Sequence, residues 1–348
     1  MRIAQISPLA EAVTPKLYGG TERVVSYLTE ELVRLGHEVT LFASGDSATS
    51  AELVPITPRA LRLEPKVRDF TPYTCMLMDH VMRRAHEFDV LHFHIELLHF
   101  PCFRQLASRT VTTLHGRLDL PDHPPFYRTF PQYPLVSISN AQRRPMPPVT
   151  WLATIPHGLL PDQLRFNAKP DDYFAFLGRI SPEKGPDRAI RIAQAAGVKL
   201  KIAAKVDKAD REYFDTAIKP LLKDARIEFI GEIGEKQKNE FLGQARALLF
   251  PIDWPEPFGL VMIEAMACGT PVIGFERGSV PEILENGLTG YIVNSVEEAI
   301  EAVPKVAALD RRRVRARFEE RFTAARMAHD YVAAFEQLLD AGGALKVA

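Results

Sequence analysis

Short apolar runs alternate with helix-periodic segments along this chain, and that alternation restricts the fold more than any other feature. Arg2 to Ile6 is an apolar run, Pro8 to Tyr18 is irregular, and Gly19-Gly20-Thr21-Glu22 then leads into a segment whose Val24, Val25, Leu28, Leu32 and Leu35 share one helical face. Gly36 stands where a helix C-terminal glycine belongs, and EVTLFAS follows as the next strand. Strand, helix and strand in this order form a βαβ unit, and successive units build a parallel sheet with right-handed crossovers. Further strand-like runs lie at 89–93, 110–115 and 135–140. The proline-bearing stretches 46–72 and 116–134 read as an extended connection and a loop.

A second series starts near Tyr173. It runs through the strand YFAFLG, a loop and helix at 180–197, the strand KLKIAA and a helix around 210–223. It continues with RIEFIG, a helix around 235–245, ALLFP, a helix after Pro257, TPVIGF and GYIV. The domains expected are therefore 1–155, a linker at 156–172, a second α/β domain at 173–322 and a last helix at 323–348. In the arginine-rich segment DRRRVRARFEERF, Val314, Phe318 and Phe322 recur every four residues, which reads as a docked surface helix with solvated arginines.

With 43 Lys+Arg against 44 Asp+Glu the net charge is −1, which argues against a surface built to hold nucleic acid. No run approaches the ~20 apolar residues of a membrane-spanning helix, so bilayer contact is expected to be peripheral at most. Cys75, Cys102 and Cys268 form no CxxC pair and read as buried small apolar residues of a reduced, cytoplasmic protein. His92, His94 and His99 crowd one segment, but no carboxylate or cysteine set completes a metal site there.

Four segments are candidates for chemistry. In WPEPFGLVMIEAMACGTPVIGF, Pro257 suits a first helical turn and Gly259 allows close backbone approach, so the helix start can meet an anion. Glu256 precedes that helix and Glu264 lies inside it, placed to accept hydrogen bonds from sugar or ribose hydroxyls, or else to serve as ordinary cap and surface residues. Arg179 and Lys184 sit on a loop after a strand, where α/β sheets bind ligands; they could bracket a diphosphate or simply be solvated. His115 ends a strand before Gly116, and the Gly19-Gly20 pair lacks the full dinucleotide fingerprint.

Taken together, GGTE at 19–22, TLHG at 113–116, SISNAQR at 137–143, FLGRISPEKG at 176–185, EPFGLVMIEAMACGTPVI at 256–273 and GSVPEILENGLTGYIV at 278–293 resemble the family-4 retaining glycosyltransferases. The resemblance implies an α/β fold of two Rossmann-like domains facing a central cleft, the GT-B arrangement, with a last helix crossing back to the first domain. It implies transfer of a hexose from a nucleotide-diphosphate sugar, UDP-glucose slightly ahead of GDP-mannose, to a small-molecule, saccharide or lipid-linked acceptor, with no cofactor and no metal. Glu264 would hold the ribose, while Glu256 with the backbone of Phe258, Gly259 and Leu260 would contact the donor sugar. Arg179 and Lys184 would bind the leaving diphosphate, Gly19 and Gly20 would close against the phosphates, and His115 would approach the reacting carbon. Charge stabilisation would replace a divalent metal, and interdomain closure would exclude water.

Three positions depart from the family pattern: His157 replaces a frequent asparagine and Leu160 a usual acidic residue, so contacts near the linker are expected to differ, and Thr21 stands where a small residue such as alanine is common, a mild change. Acceptor choice is assigned to 46–72 and 117–134. The competing readings are an inert sugar-nucleotide-binding GT-B protein and a GT-B epimerase.

Overall fold

A computed structural model describes residues 1–15 and 19–347; the end of the irregular segment expected up to Tyr18 lies outside these. The chain divides into two units: Met1–Gly158 with the C-terminal segment from Ala324, and Leu159–Thr323. Most of the proline-bearing stretch after His157 is thus part of the second unit.

The first unit is built on β1 (Arg2–Ile6), β2 (Glu38–Ser44), β3 (Glu52–Thr57), β4 (Val90–Phe93), β5 (Thr110–Thr113), β6 (Leu135–Ser137) and β7 (Trp151–Thr154). Their order is β3-β2-β1-β4-β5-β6-β7, with every pair parallel. Because such a sheet is covered on both faces, its strands are buried on both. Ala4, Ile6, Phe42, Leu91 and Phe93 form one core with Leu77 and Val81 of the helix Thr71–Arg84. On the opposite face the His92 ring lies 4.9 Å from Tyr331 and 5.3 Å from Phe335 of the helix Ala324–Val347.

The segments at 46–72 and 116–134 are more ordered than the sequence suggests. The first holds β3, which tolerates Pro55 because it is an edge strand, and the second holds the helix His123–Thr129. Cys75 and Cys102 are exposed and only Cys268 is buried. Cys75 lies on the side of its helix away from Leu77 and Val81, which correct the expectation of three buried thiols.

The second unit contains β8 (Phe174–Arg179), β9 (Leu200–Lys205), β10 (Ile227–Gly231), β11 (Leu248–Phe250), β12 (Val272–Phe275) and β13 (Gly290–Val293). The order β10-β9-β8-β11-β12-β13, again all parallel, is the doubly wound Rossmann order. The helix expected around 210–223 is a helical run over Arg211–Tyr213 and Phe214–Ile218, the second part with wider π-type bonding, and a separate turn at Leu221–Lys223 follows Pro220, which offers no N–H.

The arginine-rich helix Arg311–Arg321 buries Val314 and Phe318, with Phe322 just beyond it, but its arginines are not simply solvated. Arg311 is 8% exposed and donates to the carbonyls of Asn167, Gly243 and Ala245 and to Thr270 Oγ1, at 2.7–2.9 Å. Burial pulls its pKa down to about 10, so it remains charged at neutral pH. Arg315 reaches the carbonyls of Leu164, Pro161 and Ala267, while Arg317 and Arg321 share Glu285. Replacing Arg311 by leucine strands several buried carbonyls at once, at a cost of about 3–5 kcal/mol. Urea unfolding followed by a probe in the second unit should show a correspondingly lower midpoint.

Candidate functional site

In the second sheet the strand order reverses between β8 and β11, and ligands of doubly wound sheets bind beyond the carboxyl ends at such a point. The two loops leaving these strands are stitched together. Asp253 N–H donates to the Glu183 carbonyl at 2.8 Å, and Arg188 Nε donates to the Pro251 carbonyl at 2.8 Å. On this frame Lys184 Nζ lies 2.5 Å from Glu256 Oε2, with side chains 19% and 9% exposed. Trp254 Nε1–H donates to the same oxygen at 3.0 Å, and the ammonium sits 4.6 Å from the Trp254 ring centroid. Lysine, glutamate and tryptophan therefore form one cluster just before the helix Leu260–Ala267.

The backbone of this loop is held from outside. Ser279 N–H donates to the Glu256 carbonyl at 2.9 Å and Ser279 Oγ–H to the Phe258 carbonyl at 2.7 Å. Gly278 makes this approach possible, since a Cβ there would sit 2.3 Å from the Glu256 carbonyl oxygen. Gly259 is the helix N-cap in a left-handed conformation at φ 82°, so glycine is required there by backbone geometry. Pro257 consequently lies ahead of the helix and not in its first turn, because the left-handed Gly259 delays the helix start to Leu260. Phe258 is buried against Phe322, ring centroids 6.2 Å apart, and offers its backbone alone.

Glu264 lies inside the helix, 4% exposed, and its Oε1 accepts from Lys238 Nζ at 2.7 Å. Lys238 belongs to the helix Glu235–Gly243, and nothing in the sequence spacing links it to Glu264. Arg179 behaves differently from Lys184. Its guanidinium donates to Glu183 at 2.8 Å and lies 3.8 Å from Asp207 and 4.0 Å from Asp210. The two cations of the loop are thus turned to separate carboxylates, and an anion binding here competes with groups already in place.

The first unit has its own reversal between β1 and β4, and there the histidines gather. Gln5 of β1 donates from Nε2 to His92 Nδ1 at 3.1 Å and accepts at Oε1 from His94 Nε2–H at 2.8 Å. His92 Nε2 lies 2.8 Å from Thr113 Oγ1, which lies 2.8 Å from the Tyr331 hydroxyl. His94 Nδ1 lies 2.9 Å from His115 Nε2. His99 is a core residue, stacked on Phe93 at 3.8 Å and bonded to Thr112 at 2.9 Å.

Glu96 and His157, like Gln5, Trp254 and Lys238, are site residues the sequence did not single out for this role. Glu96 Oε1 accepts from the backbone N–H groups of His115 and Gly116 at 2.9 and 3.0 Å, and Glu96 itself has a positive φ of 56°. Such a strained non-glycine residue persists where its surroundings over-determine it. His157 stacks on the His115 ring with centroids 5.3 Å apart, so the departure from the family pattern at 157 acts directly on His115. Gly19 is the N-cap of the helix Gly20–Arg34, in which Gly20 is the first residue.

Burial lowers the pKa of His92, His94, His99 and His157 well below the ordinary imidazole value, and that of His115 to about 3. Neutral in the folded state, these groups take up protons only on unfolding, so they stabilise fully above pH ~6.5 and progressively less below it. Each contributes a slope of about 1.4 kcal/mol per pH unit between its folded and unfolded pKa. Denaturant unfolding of the first unit between pH 7.5 and 5 should reveal a steep acid loss of stability with uptake of several protons.

The family model "Glycosyl transferases group 1" matches residues 162–322, and "Glycosyltransferase Family 4" matches residues 18–149. D-inositol 3-phosphate glycosyltransferase of Mycobacterium tuberculosis is 31% identical over 159 residues, covering 43% of this chain. The chain spans about a third, 33%, of that relative's length. AviGT4, a glycosyltransferase involved in avilamycin A biosynthesis, superposes with a TM-score of 0.74 at 25% identity, covering 97% of this chain and 98% of its own. HepE of Anabaena, solved in complex with UDP-glucose, superposes at 0.71 with 17% identity over 97% of this chain and 100% of its own.

Proposed function

Because the chain belongs to the family-4 glycosyltransferases of GT-B type, we propose that it moves a hexose from a nucleotide-diphosphate sugar to an acceptor hydroxyl, with retention and without a divalent metal. The observation that carries this reading is the meeting of Lys184, Glu256 and Trp254 at the switch point of the second sheet, next to the start of the helix Leu260–Ala267. Breaking the anomeric C–O bond puts negative charge on the departing diphosphate and positive character on the sugar ring. Lys184, Arg179 and the positive end of the helix supply the compensation for the first, and the Glu256 carboxylate lies beside them for the second.

In this reading Lys184 is held on Glu256 until a diphosphate takes the ammonium, which frees the carboxylate to accept sugar hydroxyls. Trp254 keeps Glu256 Oε2 oriented through the exchange by donating its indole N–H to that oxygen. Glu264 accepts the ribose hydroxyls, and Lys238 fixes its carboxylate. UDP-glucose is the first donor to test, the ligand that HepE holds. The acceptor is a saccharide or another hydroxyl-bearing molecule.

Two measurements test the proposal. Lys184→Ala should keep its fold and lose about 10²–10³-fold in kcat, because a charge aimed at the leaving group acts in the transition state. Glu264→Ala should chiefly raise the donor KM. In a transfer or donor-hydrolysis assay with UDP- and GDP-sugars, turnover should persist in chelator. Loss of all activity in chelator, or near-normal turnover by a folded Lys184→Ala, overturns the reading.

A further inference from the structure

The hydrogen bonds running from Tyr331 to His115 admit two opposite proton arrangements, and the orientation of the Gln5 amide selects between them. A glutamine amide has a donor end and an acceptor end, and Gln5 uses one on each histidine of β4 and its continuation. His92 Nδ1 must therefore be bare, which puts its proton on Nε2, facing Thr113. His94 must carry its proton on Nε2 to serve Gln5 Oε1, which leaves His94 Nδ1 bare. A bare His94 Nδ1 at 2.9 Å from His115 Nε2 requires the His115 proton on Nε2. The remaining nitrogen, His115 Nδ1, is then a lone pair, shielded from solvent, and among the described residues no hydrogen-bond partner meets it.

We propose that Gln5 and His94 are positioning residues that hold His115 in its Nε2–H tautomer, so that Nδ1 stands ready to accept a hydrogen bond from a hydroxyl of a bound saccharide. The hydroxyl part rests on the glycosyltransferase reading; the tautomer does not. The arrangement is anchored at both ends. Thr113 and Tyr331 tie the far end to the C-terminal helix, while the Glu96 carboxylate clamps the backbone N–H groups of His115 and Gly116, and the His157 ring covers one face of the imidazole. A histidine free to exchange tautomers would present a donor for part of the time and repel a hydroxyl hydrogen; the Gln5–His94 chain removes that alternative. It is a specificity device as well, since a ligand that offers only an acceptor at this point leaves Nδ1 facing another lone pair.

The experiment is long-range ¹H–¹⁵N correlation of the histidine rings in the full-length protein at neutral pH, with the His115 signals assigned by their absence in His115→Gln. The wild type should show His115 protonated on Nε2 alone. His94→Leu removes the acceptor and should give a mixed tautomer at His115, with kcat about tenfold lower and donor KM unchanged. His94→Asn places a carbonyl oxygen near the Nδ1 position and should restore both the single tautomer and most of kcat. Protonation of His115 on Nδ1 in the wild type overturns the proposal. So does a folded His94→Leu protein with an unchanged tautomer, whether kcat falls or not. Should no sugar nucleotide be turned over, the function reading fails while the tautomer experiment still decides the role of Gln5 and His94.

Discussion

Every strand pair in both sheets is parallel, and the placement of chemistry follows from that single constraint. Parallel strands need crossovers, the crossovers cover both faces, and polar side chains are driven toward the ends of the strands. Where strand order reverses, two neighbouring loops leave in opposite directions and a gap opens. In the second unit that gap brings together the loops after β8 and β11, hence Lys184, Trp254 and Glu256. In the first it brings together Gln5 and His94, hence His115.

Charge and polarity inside these gaps are handled by pairing. Lys184 answers Glu256, Lys238 answers Glu264 and Arg179 answers Glu183 and its acidic neighbours, while away from the gap Arg311 is surrounded by carbonyls that precede β11. A partly buried charge left alone costs more than its partner contributes, so each of these groups comes with one. The consequence for the proposed reaction is that donor binding is an exchange: the diphosphate must replace Glu256 on Lys184.

Much of the fold was legible because hydrophobic period is a local property. The strand at Arg2–Ile6, the helix at Gly20–Arg34 and the strand–helix series after Tyr173 all follow from spacing alone. Local pattern and structure part where long-range contact outweighs local composition. Pro55 marked an irregular connection until pairing with β2 made it part of an edge strand. Pro257 read as a first helical turn until the left-handed Gly259 displaced the helix start. Arg179 and Lys184 looked equivalent on one loop, yet they face different carboxylates from different parts of the chain.

By itself the sequence determined the class of fold, the two series of βα units and the residue types at the strand ends, because these depend on period and on local turn chemistry. Only the tertiary structure decided who meets whom. Lys238 finds Glu264 across 26 positions, Lys184 finds Glu256 across 72, and Gln5 finds His94 across 89. Such pairs carry no signature in either segment alone. They arise when parallel pairing sets the register of distant strands and burial leaves each polar atom with only the neighbour that register supplies.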